Sequence, residues 1–183
     1  MRLTDSQMLE IFDREVRQSC EWTRMRREAL PNVVRYIEEG SDPGGFVSWS
    51  HLTAGNAEWE IERQVEFFAS MGAEFEWKLY SHDTPADLGA RLKARGFIPG
   101  QPEALMVADV HELAQGLQAL DTAVVRRVIS PAEVDAIIVM ENEVWGSDLS
   151  RIGEGLKHDL LKFPHLLSIY AVWDGGRVVS AAW

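Results

Sequence analysis

Apolar residues recur along this chain with two periods, and the switches between them predict its elements. Met8, Phe12 and Val16 are four apart, one stripe of a helix over residues 5–17, and Pro31 breaks the chain after it. Residues 33–38 and 46–52 read as strands around Gly40-Ser41-Asp42-Pro43-Gly44-Gly45, a dense turn signal. Ile61, Val65 and Phe68 predict a helix over 57–71, stopped by Gly72. Phe75, Trp77 and Leu79 alternate with Glu76, Lys78 and Tyr80, so residues 75–81 are expected to form a strand with one buried face. Thr84, Pro85 and Asp87 read as the cap, first position and dipole-favoured carboxylate of a helix. Leu88 and Leu92 supply its inner face, Gly96 ends it, and residues 104–110 read as a further strand.

Residues 111–122 read as a connector, after which the pattern restarts. A strand is expected over 123–129, and Ser130-Pro131-Ala132-Glu133 is a capping box opening a helix through Val134, Ile137, Ile138 and Val144. Ser150 is placed to cap another helix, striped by Ile152, Leu156, Leu160 and Phe163 and closed at Pro164. Residues 166–173 and 177–183 form a hairpin around Asp174-Gly175-Gly176, which supplies the positive φ of such turns. The chain stops at Trp183 inside an apolar strand, an edge that invites pairing, so a homo-oligomer through the terminal strand is expected.

Composition narrows the classes. The 183 residues are 46% hydrophobic and 26% charged, the balance of a globular protein. A net charge of −11 opposes binding to nucleic acid or to an anionic membrane surface. Arg24, Arg26 and Arg27 are the compact basic cluster and read as a solvated helix face. Cys20 is the one cysteine, so no intramolecular disulfide forms. Acidic residues interrupt the N-terminus as they would not in a signal peptide, and no apolar run approaches the roughly 20 residues that span a bilayer. A cytoplasmic location is expected.

Residues 75–80 lead into His82-Asp83-Thr84-Pro85-Ala86, then Leu92 and Gly96-Phe97. This resembles the later half of a unit of the GNAT superfamily of acyl-CoA-dependent N-acyltransferases, where a strand precedes an Asn/Asp turn and a helix ending in Gly-Phe. Residues 123–183 resemble the opening half of such a unit, and residues 172–182 are similar to its central hairpin. The resemblance covers roughly residues 33–183. It implies an α/β (α+β) fold, with a mixed, mainly antiparallel central sheet flanked by helices. It also implies a tandem: a degenerate unit over 1–115, with second-half elements in 46–110, and the opening half of another over 116–183. At the family level it implies transfer of acetyl from acetyl-CoA to an amine of a small molecule or peptide.

The family holds the cofactor pyrophosphate on a loop of the type Arg/Gln-x-x-Gly-x-Gly/Ala before a helix. Here that place is taken by residues 51–57, His-Leu-Thr-Ala-Gly-Asn-Ala, followed by Glu58, Glu60 and Glu62. The glycine pattern is missing and the carboxylates repel phosphate. The family's tyrosine acid, four residues before the Gly-Phe glycine, is replaced by Leu92. The loop of the second unit is expected beyond the terminal strand and so outside this chain. Glu141 and Glu143 are candidates to face an acceptor amine, with Trp145 and Trp183 as pocket walls. A solvated helix face and core or interface tryptophans are the competing readings. His51, His82, His111, His158 and His165 lack metal-ligand spacing, so no metal is expected, and capping accounts for His82-Asp83. Two readings stay open: an acetyltransferase, and a non-catalytic GNAT-like binding or dimerisation module.

Overall fold

Thr4 opens the fold with a reciprocal cap: its hydroxyl accepts from the Gln7 N–H while the Gln7 side chain accepts from Thr4. Helix α1 (Asp5–Phe12) follows and runs without a break into a π-helical turn, Asp13–Gln18. The computed structural model describes residues 3–38, 43–110, 113 and 125–183. The chain divides into two compact units, Met1–Val107 and Ala108–Trp183. The expected connector at 111–122, apart from Leu113, and the expected boundary at 115/116 lie outside the described residues, as does the start of the 40–45 turn.

After the π turn the first unit carries β1 (Met25–Ala29), β2 (Val33–Glu38), β3 (Gly44–Ser50), α2 (Ala57–Ser70), β4 (Glu74–Trp77) and α3 (Leu88–Ala94). The strands lie in the order β1-β2-β3-β4. The first two pairings are antiparallel, and β3 pairs with β4 in parallel because α2 carries the chain back across the sheet. Val33, Val47 and Leu52 pack with Ala57 and Ile61 of α2, Trp77 of β4, and Leu88 and Leu92 of α3. Ser48, next to Val47, points the opposite way, and its hydroxyl donates to the Arg17 carbonyl at 2.6 Å. The sheet is thus covered on both faces, and Val33 to Ile37 are all buried.

The second unit carries β5 (Val125–Arg127), α4 (Pro131–Trp145), α5 (Ser150–Lys162), β6 (Tyr170–Asp174) and β7 (Arg177–Ala182). Its sheet is antiparallel in the order β5-β6-β7. The capping box holds as expected: Glu133 accepts from the N–H groups of Ile129 and Ser130, both at 3.1 Å. Gly153 lets α5 approach α4, since a Cβ there would lie 2.6 Å from Ile138 Cγ1. Gly175 and Gly176 make the hairpin turn with φ of 54° and 84°. Val134, Ile137, Ile138, Met140, Leu156, Ala171 and Val178 form the core. The strand register puts Val125, Arg127, Tyr170, Ser180 and Ala182 on the other face of the sheet, all exposed.

The protein is therefore mixed α+β, with a four-stranded mixed sheet and a three-stranded antiparallel sheet rather than one central sheet. No helix among the described residues is long and apolar enough to cross a membrane. Five local expectations need correction. Ser150 does not cap α5: it is the first helical residue after Leu149, and its hydroxyl donates to Asp148. Met25–Ala29, with Arg26 and Arg27, is an edge strand and not a helix face, since it pairs with β2 along its length. The strand expected over 75–81 ends at Trp77, because Asp83 Oδ2 takes the Tyr80 N–H at 3.0 Å and turns the chain away. Residues 104–108 form no strand, for no described strand lies against them; Leu105 and Val107 lie along α1 instead. Thr84 does not cap a helix: its hydroxyl donates to the Leu52 carbonyl at 2.8 Å, and α3 begins at Leu88.

Candidate functional site

The four residues singled out from sequence all lie in the second unit. Glu141 and Trp145 sit one turn apart on α4, and the Trp145 indole N–H donates to Glu141 at 2.7 Å. Glu143 pairs with Arg177 of β7. Trp145 and Trp183 are exposed, and no described contact joins Trp183 to the other three. The structure brings together Glu141 with Trp145, and Glu143 with Arg177, on exposed surface.

The stretch before α2, where an acyl-CoA loop would be expected, is closed on itself. The N–H and hydroxyl of Thr53 both meet Asn56 Oδ1, at 2.7 and 3.0 Å. The Ala57 N–H donates to the Thr53 carbonyl at 3.1 Å. Glu58, in the first turn, takes Arg91 of α3 at 3.3 Å and Arg95, just past the end of α3, at 3.4 Å, and Arg95 also pairs with Glu62. Arg91 is further held by Asp87 at 2.9 Å, and that bond keeps the Asp87 carboxyl below its ordinary range. Both cations near this helix start are therefore engaged by carboxylates.

The densest cluster of chemistry-bearing side chains lies around Arg17; His82-Asp83, assigned to capping from the sequence, belongs to it instead, and the part of Asp13 and Arg17 was missed. The π turn carries Asp13 and Arg17, while the segment between β4 and α3 carries Tyr80, His82 and Asp83. Arg17 is 2% exposed and grips Asp83 through two bonds of 2.8 Å. It also donates to Asp13 at 2.9 Å and, through Nε, to the Ser48 carbonyl at 2.9 Å. Its guanidinium lies over the Tyr80 ring, 4.2 Å from the centroid. Burial works against the Arg17 charge, but the hydrogen bonds to Asp83 and then Asp13 outweigh it and raise the pKa above its usual value. His82 Nε2 lies 3.0 and 3.1 Å from the two Asp13 oxygens and 3.3 Å from Arg17.

A carboxylate-oriented imidazole is the usual support of a general base. Here Asp13 and Asp83 are both occupied by Arg17, and no Ser, Thr or Cys side chain bonds His82 among the described residues. No described group of His, Cys, Asp and Glu could hold a metal ion. The cluster ties the helix to the segment before α3 rather than presenting a reactive atom. The sequence held one clue, the i,i+4 spacing of Asp13 and Arg17. A groove of about 300 Å³, lined by Asp5, Met8, Leu9, Leu105 and Val107, lies along α1 in the same unit.

These features define a two-unit α+β protein with a charge-clasped first unit and an apolar-cored second. No protein-family model matches the chain, and neither does any curated protein or solved structure.

Proposed function

We propose that the chain is a tandem GNAT-like protein acting as a non-catalytic binding and dimerisation module, with its Met1–Val107 unit no longer handling acetyl-CoA. The closed stretch before α2 carries this reading. Its Thr53 and Ala57 N–H groups are satisfied internally, and Glu58 and Glu62 take the nearby arginines. A pyrophosphate would have to displace these bonds while facing the carboxylates. The order of elements supports the family: β3-α2-β4-α3 in the first unit, β5-α4-α5-β6-β7 in the second. Association is assigned to β7, an edge of its sheet among the described residues, with Val179 exposed at a bulge and no charge or proline from Val178 to Ala182.

Thermal unfolding with and without acetyl-CoA tests the cofactor half of the proposal. A ligand at about 100 times its Kd adds about 2.7 kcal/mol, a rise of several degrees in a protein of this size. No shift is expected, and a saturable rise would overturn the reading. Acetyl transfer from acetyl-CoA to an amine of a small molecule or peptide is the second reading. It is favoured by the exposure of Glu143 and Trp145 on α4, where an acceptor could reach them. Release of free CoA thiol on adding an amine would establish it.

A further inference from the structure

The helical segment over residues 5–18 satisfies two demands that a regular α-helix cannot meet together. Its apolar stripe, Met8, Phe12 and Val16, has α spacing, so a regular helix that buries Met8 and Phe12 also turns Val16 inward. In the structure Val16 is 43% exposed and its neighbour Arg17 is 2% exposed. The π turn at Asp13–Gln18 makes the exchange, because one wider turn advances the inward position by one residue. Arg17 thereby reaches Asp83 and the Ser48 carbonyl, while Met8 and Phe12 stay partly buried.

We infer that Asp13–Gln18 is a two-register element: Arg17, latched on Asp83, holds the π register, and release of the latch lets it relax to an α register with Val16 in the place of Arg17. Three observations support it. The sequence already carries the complete apolar stripe that the α register needs. The partners that fix Arg17 from outside its helix, Asp83, Ser48 and the Tyr80 ring, sit on only two segments, β3 and the stretch before α3. No residue of α1 is fully buried, so the segment N-terminal to the turn offers little resistance to re-registering. In the α register Arg17 swings to solvent and Asp83 loses its cation. Asp13 and His82 then part from it as well, and the clasp between the helix and the β4–α3 segment opens.

Thiol accessibility at position 16 reads the register directly. The full chain is prepared with Cys20→Ser and Val16→Cys, with and without Asp83→Asn, and reacted with a maleimide. With the latch intact, position 16 reacts as an exposed thiol. With Asp83→Asn the inference predicts protection of at least about tenfold. Arg17→Gln, which removes the charge and leaves a polar side chain that burial disfavours, should give the same protection. A companion Ile61→Cys variant reports the fold, since Ile61 is fully buried and reacts only if the unit opens. Unchanged labelling of position 16 with Ile61 still protected would overturn the inference. So would unfolding of both latch variants, seen as rapid labelling at position 61, because no alternative register would then be stable.

Discussion

The two units solve the same problem, a small sheet packed by helices, with different interiors. In the first, the sheet is covered on both faces, and the buried set includes Arg17, Arg35, Ser48, Ser50, Glu60 and Gln64. In the second, the fully buried side chains among the described residues are apolar, and one sheet face stays exposed. Arg35 illustrates the first style. It lies over the Phe67 ring and donates to Glu28 at 2.8 Å and to Gln64 at 2.9 Å, while Gln64 donates to Glu60 at 2.7 Å. Such networks fix register, since each member must find its partner or remain desolvated and unpaired. An apolar core tolerates more rearrangement but depends on volume. The first unit is therefore sensitive to lost partners and the second to lost methyl groups.

The largest expected effect is in the second unit. Ile137→Ala, at a fully buried position, should cost about 2–5 kcal/mol in denaturant unfolding, the range for opening a core cavity. Gln64→Leu in the first unit should cost about 1–3 kcal/mol although it adds apolar surface, because Glu60 and Arg35 both lose a partner. Met140→Leu in the second unit, a near volume-conserving swap, should cost less than about 1.5 kcal/mol. If Gln64→Leu proved as mild as Met140→Leu, the contrast between the two interiors would fail.

The smallest effect is on the acid limb of stability. Glu133 is held below its ordinary range by the Ile129 N–H and then by the Ser130 hydroxyl, so its stabilising contribution is present above the unfolded value of about 4.3. That contribution is lost as pH falls through the lowered folded value. Glu28 shifts the same way for another reason: burial raises its pKa, and the bonds from Arg35 and Arg26 more than reverse this. Glu133→Gln and Glu28→Gln should each flatten part of the acid limb of a pH-dependent melting curve, with little change in its slope above pH 6 or so.

What the sequence disclosed follows from where the information lies. The Ser130–Glu133 box and the Gly175-Gly176 turn are local chemistry, and both are found where expected. Leu88 and Leu92 were legible as an inner face for the same reason. Met25–Ala29 carries no apolar alternation and is a strand only because β2 pairs with it. Residues 104–108 show the reverse, a strand-like pattern with no strand against it among the described residues. The clasp was invisible because Arg17 and Asp83 are 66 residues apart, and burying an arginine on the stripe meant for Val16 needs a π turn that periodicity does not announce. The cofactor-loop position was readable as lacking the glycine pattern, but not as being closed by Arg91 of α3 and Arg95 at its end.

The exposed edge and face of the second unit make association the claim most open to direct test. Sedimentation velocity of the full chain over a range of concentrations is the measurement. The account predicts a concentration-dependent dimer that reverts to monomer in Val179→Lys, where a charge is placed on the β7 edge. A chain that stays monomeric at every concentration, or a dimer that Val179→Lys leaves intact, would contradict it.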